Sequence, residues 1–396
     1  MHDQDTLLFE LFAVFVAAKI IGEIFERLRL PAVLGEILAG AVLGPYALGF
    51  IQPTVTLKSL AEIGAIFVLF LAGLEISPQD LISVGQKALL VAGAGVVVPF
   101  VLGFAYMHWR GDAATESIFV GAAMVATSVG ITARVLGDMG VLSSRTAKII
   151  LGAAVFDDIL GMLLLALVDG LAQSQGVQWI KLGTLAGEAA VFAVVMIFVG
   201  PRIISRIKPG MARLSTQNAP LILALTVCLG LSYAASRIGM AAIIGAFFAG
   251  MMFAECTPQW NLLPRVHAIT EFLGPFFFFS IGSQLNARLF RGEVLTVALV
   301  VSLLAIISKV IGCGLPLLRE NWKTVLQVGV GMMPRGEVAL IVALVGLNSR
   351  IVTQSTYAVV VFMTAVTTML APPLLRYLFR GEMDPIPARY NSSFSL

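Results

Sequence analysis

Two aspartates, Asp157 and Asp158, stand side by side in the middle of an apolar run, and this pair limits what the chain can fold into. The run Ile149–Val168 lies between Lys148 and Asp169. About 20 residues rising roughly 1.5 Å each cross one hydrocarbon core, which puts the pair near the bilayer midplane. An ionised carboxylate there costs at least roughly 2.5–3.5 kcal/mol on insertion scales, and two neighbours repel each other. A fold that keeps both must shield them. The pattern points to binding or moving ions more than to a salt bridge that only holds helices together.

The rest of the chain fits a membrane setting. It has 396 residues, 58% hydrophobic and 12% charged, with a mean hydropathy of +0.94. Soluble proteins are nearer about 45–50% apolar and about 25% charged. Hydropathy gives about thirteen spans, near 7–26, 32–50, 57–76, 88–107, 117–136, 149–168, 182–204, 219–236, 241–253, 269–285, 294–318, 325–347 and 357–379. Polar turns such as Ser77–Asp80 and Thr257–Gln259 separate them, and no loop is long enough for a soluble domain. The N-terminus carries Asp3 and Asp5 in place of a basic region, so the first span is expected to stay in the membrane.

Loop charge sets an orientation. Fifteen loop Lys and Arg residues follow odd-numbered spans and seven follow even-numbered ones. The positive-inside rule puts the odd side in the cytoplasm, the N-terminus outside and the C-terminus inside. With the seventh span as a linker, two groups of six remain in opposite orientation, the arithmetic of an inverted repeat. The fifth span then corresponds to the twelfth and the sixth to the thirteenth.

Both the fifth and twelfth spans read as interrupted. The fifth has a small, polar and β-branched centre, Thr127-Ser128-Val129-Gly130-Ile131-Thr132, and the twelfth holds Pro334, Arg335, Gly336 and Glu337. Proline removes a backbone donor and glycine permits unwound backbone. Matched breaks in two repeats point to a transporter's binding site, where carbonyls meet a cation and helix ends meet charge. Lys309 lies deep in a span without an acid and needs a partner on another helix. Asp157 and Asp158 are the candidates. Successive helix residues point about 100° apart, so one can face the break and the other Lys309. Sequence physics leaves open which does which.

Arg335 and Glu337 read as charges that neutralise broken helix ends or pair with a neighbour. Glu75 either lines an exit path or marks a helix end. Lys19 and Glu23, one turn apart, are expected to pair. Gly40 and Gly44 suggest close helix packing, and Phe276–Phe279 suggests core or lipid contact. Cys228, Cys256 and Cys313 lack metal-ligand spacing and read as packing residues.

The motifs Ala126–Arg134, Gly152–Gly161, Leu71–Glu75 and Gly331–Val338, with Ser308–Gly312 around Lys309, resemble the monovalent cation:proton antiporter-2 family. They are most similar to its NapA-type bacterial Na+/H+ antiporters, over nearly the whole chain. The resemblance implies an all-α polytopic membrane protein of about 13 transmembrane helices, two inverted six-helix repeats with two crossing discontinuous helices. It implies a homodimer. A core domain (roughly 57–168 and 269–380) would move like an elevator against a dimer or panel domain (roughly 7–50 and 219–268). A linker helix would cover roughly 182–207, within one transporter unit over 1–380, and 381–396 would be a short cytoplasmic tail. In the family the second aspartate, here Asp158, binds the cation; the first, here Asp157, pairs with the lysine, here Lys309; and Thr127 lies at the cation site. The paired aspartate marks members that are electrogenic and exchange about two protons per Na+. Electroneutral relatives commonly carry Asn-Asp. Potassium-efflux relatives carry Gln-Asp and a nucleotide-binding domain.

The expectation is therefore an electrogenic Na+(Li+)/H+ antiporter in the bacterial inner membrane. Na+ and protons would compete at Asp158, Asp157 and Thr127, beside Ser128. Lys309 would carry the salt bridge and a proton, with Glu337, Arg335 and Glu75 as accessory residues. No cofactor, nucleic-acid partner, soluble regulatory domain or enzyme activity is expected, because no ATP-binding or catalytic motif occurs. Membrane lipid and a second copy are the expected partners. Alternatives are a K+/H+ antiporter of the same fold, a sodium-coupled organic-solute symporter and a gated cation channel. Oxygen ligands alone do not fix Na+ over K+.

Overall fold

A computed structural model describes residues 2–28, 30–172, 179–211, 218–285 and 292–382. The described residues contain helices and no strand. In chain order these are α1 His2–Arg27, α2 Ala32–Leu43, α3 Val55–Leu74, α4 Pro78–Trp109, α5 Ala114–Ala123, α6 Val129–Asp138, α7 Arg145–Ala172, α8 Trp179–Phe198 and α9 Gly200–Met211. There follow α10 Ala219–Arg237, α11 Ala242–Phe253, α12 Thr257–Trp260, α13 Leu262–Ser283, α14 Gly292–Gly314, α15 Trp322–Gly331, α16 Glu337–Asn348 and α17 Gln354–Leu378. The tail beyond Glu382 lies outside the described residues.

A helix, or a divided helix, lies at each of the thirteen expected positions. The fifth is divided into α5 and α6, the twelfth into α15 and α16, and the seventh into α8 and α9, which are joined by a single turn residue, Val199. Seven spans are helices long and apolar enough to cross a bilayer. Of the other six, two are the broken ones, α1 and α13 are more polar, and α2 and α11 have 12 residues each. At about 1.5 Å per residue those two are short for a ~30 Å core. α4 is longer than its apolar run. The turn Ser77–Asp80 is its capping box: Ser77 Oγ accepts from the Asp80 backbone N–H at 3.2 Å, Asp80 accepts from the Ser77 N–H at 3.2 Å, and Pro78 opens the helix. Lys148 of α7 clamps Asp80 at 2.8 Å.

The inverted repeat shows in the packing. α1 packs on α2 as α10 packs on α11; α2 packs on α13 as α11 packs on α3; α4 packs on α7 as α14 packs on α17. Four glycines mark the same symmetry at atomic scale. A β-carbon on Gly40 of α2 would lie 2.0 Å from the Phe279 carbonyl oxygen, and one on Gly282 of α13 would lie 1.8 Å from that of Ile37. Across the repeat, one on Gly250 of α11 would lie 2.2 Å from the Phe70 oxygen, and one on Gly73 of α3 would lie 2.2 Å from that of Phe247. Backbones this close leave no room for any side chain.

The helices sort into two sets. α4–α7 and α14–α17 pack mainly on one another, as do α1–α3 with α10–α13, and α8 touches both α7 and α11. α3 and α13 pack on each other and on α11 and α2; α3 meets the first set chiefly through α6. The Phe276–Phe279 run is buried at these contacts. One expected pair is corrected: Lys19 binds Glu271 of α13 at 2.6 Å, and Glu23 binds Arg27 at 2.8 Å. α1 lies against α13, so a half-buried carboxylate wins Lys19, and the exposed Glu23 takes the next cation along its own helix.

Candidate functional site

α7 is one continuous helix and carries both aspartates. Asp157 is 0% exposed, whereas Asp158, one residue on, is half-buried. Both oxygens of Asp157 are engaged. Oδ1 accepts from Lys309 Nζ at 2.9 Å, and Oδ2 accepts from the Thr127 backbone N–H at 3.1 Å.

Lys309, on α14 and also 0% exposed, uses all three of its donors. Besides Asp157 they go to the carbonyls of Gly95 at 2.8 Å and Val125 at 2.9 Å. Each carbonyl is available for a local reason. Pro99 lies inside α4 and has no N–H, so Gly95, four residues earlier, has no helical donor. Val125 follows the end of α5, where carbonyls lose their intrahelical partners. A wholly buried ion pair is tolerable only when its remaining hydrogen-bonding groups are also satisfied, and here they are.

The two broken spans cross at this point. The Ser128 N–H donates to Pro334 O at 2.7 Å, Thr127 Oγ1 donates to Met332 O at 3.3 Å, and Thr132 Oγ1 donates to Gly331 O at 2.7 Å. A β-carbon on Gly336 would lie 2.8 Å from Ser128 Oγ, so glycine lets the breaks touch. Arg335 is fully buried and donates to Val125 O at 3.3 Å, Ala126 O at 3.4 Å and Ala305 O at 3.3 Å. Its backbone N–H donates to Thr367 Oγ1 at 3.3 Å, and its carbonyl accepts from Thr368 Oγ1 at 2.6 Å. The negative end of the α5 dipole thus faces two cations, Lys309 and Arg335. The pseudo-symmetry extends to side chains: α7 holds the first break through Asp157, and its counterpart α17 holds the second through Thr367.

Asp157, Lys309, Thr127, Ser128 and Arg335 therefore converge, with Asp158 adjoining. Glu75 does not join them. It follows the end of α3 and lines a separate cavity of about 40 Å³ with Arg134, Asp138 and His267. Glu337 opens α16, and its side chain lies outside the described residues. Among the described residues, no group of three His, Cys, Asp or Glu is placed to hold a metal ion. A larger cavity of about 610 Å³ lies between the two helix sets, lined by Lys58, Glu62, Ser280 and Gln284 on one side and by Gln354 and Tyr357 on the other. It sits at the end that loop charge assigns to the outside.

The sequence reading passed over a second charged cluster. Arg134 of α6, 9% exposed, binds Asp138 at 3.0 Å and Glu271 of α13 at 2.5 Å. Glu36 of α2 is 2% exposed, with one carboxylate oxygen lacking a partner. A charge inside an apolar span was the available signal: Glu36 interrupts Ala32–Leu43 as plainly as Lys309 interrupts its own helix.

Crossed broken helices in an inverted-repeat bundle, with charges buried where they cross, define a multi-pass membrane protein of the transporter class, not an enzyme class. The particular family follows from comparison. The family model described as sodium/hydrogen exchanger, transmembrane, matches residues 11–381, and the chain belongs to that family. It is 36% identical to the high-affinity Na+/H+ antiporter NhaS3 of Synechocystis sp., over 95% of this chain and 90% of the relative. It is 32% identical to the Na+/H+-K+ antiporter GerN of Bacillus cereus, over 94% and 96% of the two chains. It is also 32% identical to a Na+/H+ antiporter of Enterococcus hirae, over 92% and 96%. In fold it is similar to the sodium proton antiporter MjNhaP1 of Methanocaldococcus jannaschii, with a TM-score of 0.70 at 19% identity over 97% and 98% of the chains.

Proposed function

We propose that the chain exchanges Na+ or Li+ for protons across a bacterial inner membrane, with cation and proton competing for Asp158. The observation that carries this is the inequality of the pair. Asp157 is wholly buried and held by Lys309 and Thr127 where the broken helices cross, while Asp158, the next residue of α7, is only half-buried and so nearer to an aqueous path. Asp158 takes either a proton or a cation, with oxygens around Thr127 and Ser128 completing the shell. When Na+ draws on Asp157 as well, Lys309 loses its counter-charge and gives up a second proton, which makes exchange electrogenic. These titrations are coupled and belong to the group, not to single residues.

The packing supports a revised division of the elevator. α4–α7 and α14–α17 form the moving core. α3 and α13, which pack on α2 and α11, belong with α1–α3 and α10–α13 in the panel, and α8 and α9 link the two. The exposed apolar side chains Leu8, Phe12 and Ile20 of α1 are the surface proposed to meet a second copy.

Proteoliposomes loaded with a pH-sensitive dye test the reading. Wild type acidifies or alkalinises the lumen on Na+ or Li+ jumps, and Asp158→Asn does not. Exchange retained by Asp158→Asn would overturn the site. A second reading, K+/H+ exchange, is favoured by the similarity to GerN, whose name includes K+. K+ jumps in the same assay decide between them.

A further inference from the structure

The ion pair between Arg134 and Glu271 has a position that no other described ion pair shares. Arg134 stands on α6, the second half of a broken helix in the aspartate-bearing set, and Glu271 stands on α13 in the other set. The other described ion pairs join residues within one set, including Lys87–Glu320, Lys148–Asp80 and Lys323–Glu382 in the first and Lys19–Glu271 in the second. Among the described residues, another polar side-chain link between the sets is the exposed hydrogen bond from Gln79 to Glu255 at 3.2 Å. Arg134 is held on its own side by Asp138, and Glu271 on its own side by Lys19 at 2.6 Å.

The two ends of the interface between the sets therefore differ. At the outer end a cavity of about 610 Å³ separates α3 and α13 from α17. At the cytoplasmic end the sets are tied by the Arg134–Glu271 pair, and beside it only about 40 Å³ is open, among Glu75, Asp138, Leu142 and His267. We infer that Arg134 and Glu271 form a latch that holds the cytoplasmic side shut while the outer side is open, and that the latch parts once in each transport cycle. This rests on the proposed elevator exchange, because only relative movement of the two sets would require the pair to separate.

The inference has a physical consequence. A half-buried arginine-carboxylate pair that forms in one conformation and breaks in the other biases the equilibrium between them by its differential free energy. Losing it shifts the population by about tenfold toward the form open to the cytoplasm.

The test uses the full chain in inside-out vesicles, with Cys228, Cys256 and Cys313 replaced by Ala and a single reporter Leu142→Cys lining the small cavity. A membrane-impermeant maleimide labels the reporter slowly in this background. Arg134→Gln and Glu271→Gln each raise the labelling rate by about tenfold. Asp138→Asn, which removes only the partner on α6, leaves it within about twofold. Unchanged labelling in both latch variants, or an equal rise in Asp138→Asn, overturns the latch. In a second arm Arg134→Cys and Glu271→Cys are joined by a bifunctional thiosulfonate. Cross-linking stops ion exchange in proteoliposomes and a reductant restores it; exchange that continues at full rate when cross-linked overturns the latch. If the reductant-treated protein exchanges no cation for protons at all, the proposed function fails, while the labelling arm still reports on the latch.

Discussion

Lys309 and Arg335 share one acceptor: the Val125 carbonyl takes a hydrogen bond from Lys309 Nζ at 2.9 Å and from Arg335 Nη1 at 3.3 Å. Two like charges converge on one oxygen because the α5 helix ends there, and the partial negative charge of its carbonyls is the local compensation. They differ in what else they hold. Lys309 has a carboxylate partner, Asp157, at 2.9 Å. Arg335 donates only to carbonyls, and its own backbone is fixed at both ends by Thr367 and Thr368. Under the proposed exchange, Arg335 is the standing charge at the break and Lys309 the exchangeable one.

Breaking the buried ion pair on one side leaves a charge without compensation. Asp157→Asn keeps the shape but strands the Lys309 ammonium, and the expected loss of stability is about 3–5 kcal/mol. The double variant Asp157→Asn, Lys309→Gln removes both charges and recovers much of that loss. Thermal unfolding of the detergent-solubilised protein measures this. A double variant no more stable than Asp157→Asn alone would show that the lysine is not the source of the cost.

Much of this fold was legible in the sequence, for a physical reason. A bilayer imposes one length scale on hydrophobic runs, so thirteen helical spans could be read from hydropathy, and proline and glycine marked the twelfth-span break. The repeat symmetry was arithmetic only. It became visible through Gly40, Gly73, Gly250 and Gly282, whose equivalence depends on which backbones touch. The acceptor shell of Lys309 was not legible, since Pro99 frees Gly95 O only if α14 lies against that turn of α4. The pairing of Lys19 with Glu271 failed the local rule for the same reason: a neighbour in space 252 residues away outcompeted a neighbour in sequence.

The glycine contacts predict matched defects in the two repeats. Gly40→Ala and Gly250→Ala each drive a methyl group into a carbonyl, at 2.0 and 2.2 Å, so backbones must separate, at a cost of about 1–3 kcal/mol or more. Gly187→Ala on α8 meets nothing within 4 Å and gains from alanine's better helix propensity by about 0.5–1 kcal/mol. Monodisperse yield and melting temperature in detergent rank the three. Equal behaviour of all three would argue against the close approach.

A pH-dependent contribution is expected just beyond the end of α17, outside the membrane-spanning segments. Glu382 accepts from Lys323 Nζ and Gln327 Nε2 at 2.8 Å each. Burial acts to raise its pKa, but these hydrogen bonds outweigh it and hold the carboxyl below the ordinary glutamate value of 4.5. A lowered folded-state value gives a contribution that is complete above the unfolded value and is lost as pH falls through the folded one. Because the pair is about one-third exposed, the contribution is a few tenths of a kcal/mol, roughly the scale of surface pairs. The melting-temperature gap between wild type and Glu382→Gln should be small at pH 7 and vanish once pH falls below the lowered folded-state value. A gap that widens on acidification would contradict the assignment.

Pro99 offers the sharpest link from a single residue to the site. Pro99→Ala restores a backbone N–H that can donate to Gly95 O, the carbonyl that now accepts from Lys309 at 2.8 Å. By helix propensity the change favours α4 by up to about 3 kcal/mol, so a fold-only view predicts a more stable protein. The site argues for a second effect, because the carbonyl becomes shared and the lysine's hold weakens by about one hydrogen bond, roughly 1 kcal/mol. With Lys309 held less firmly, Asp157 is drawn from it by a cation more easily, and the cation concentration giving half-maximal exchange falls by several-fold at fixed pH. Titrating Na+ or Li+ into proteoliposomes of wild type and Pro99→Ala measures that concentration. An unchanged value together with a raised melting temperature would mean that Gly95 O serves both donors without loss, and that the proline only shapes the helix.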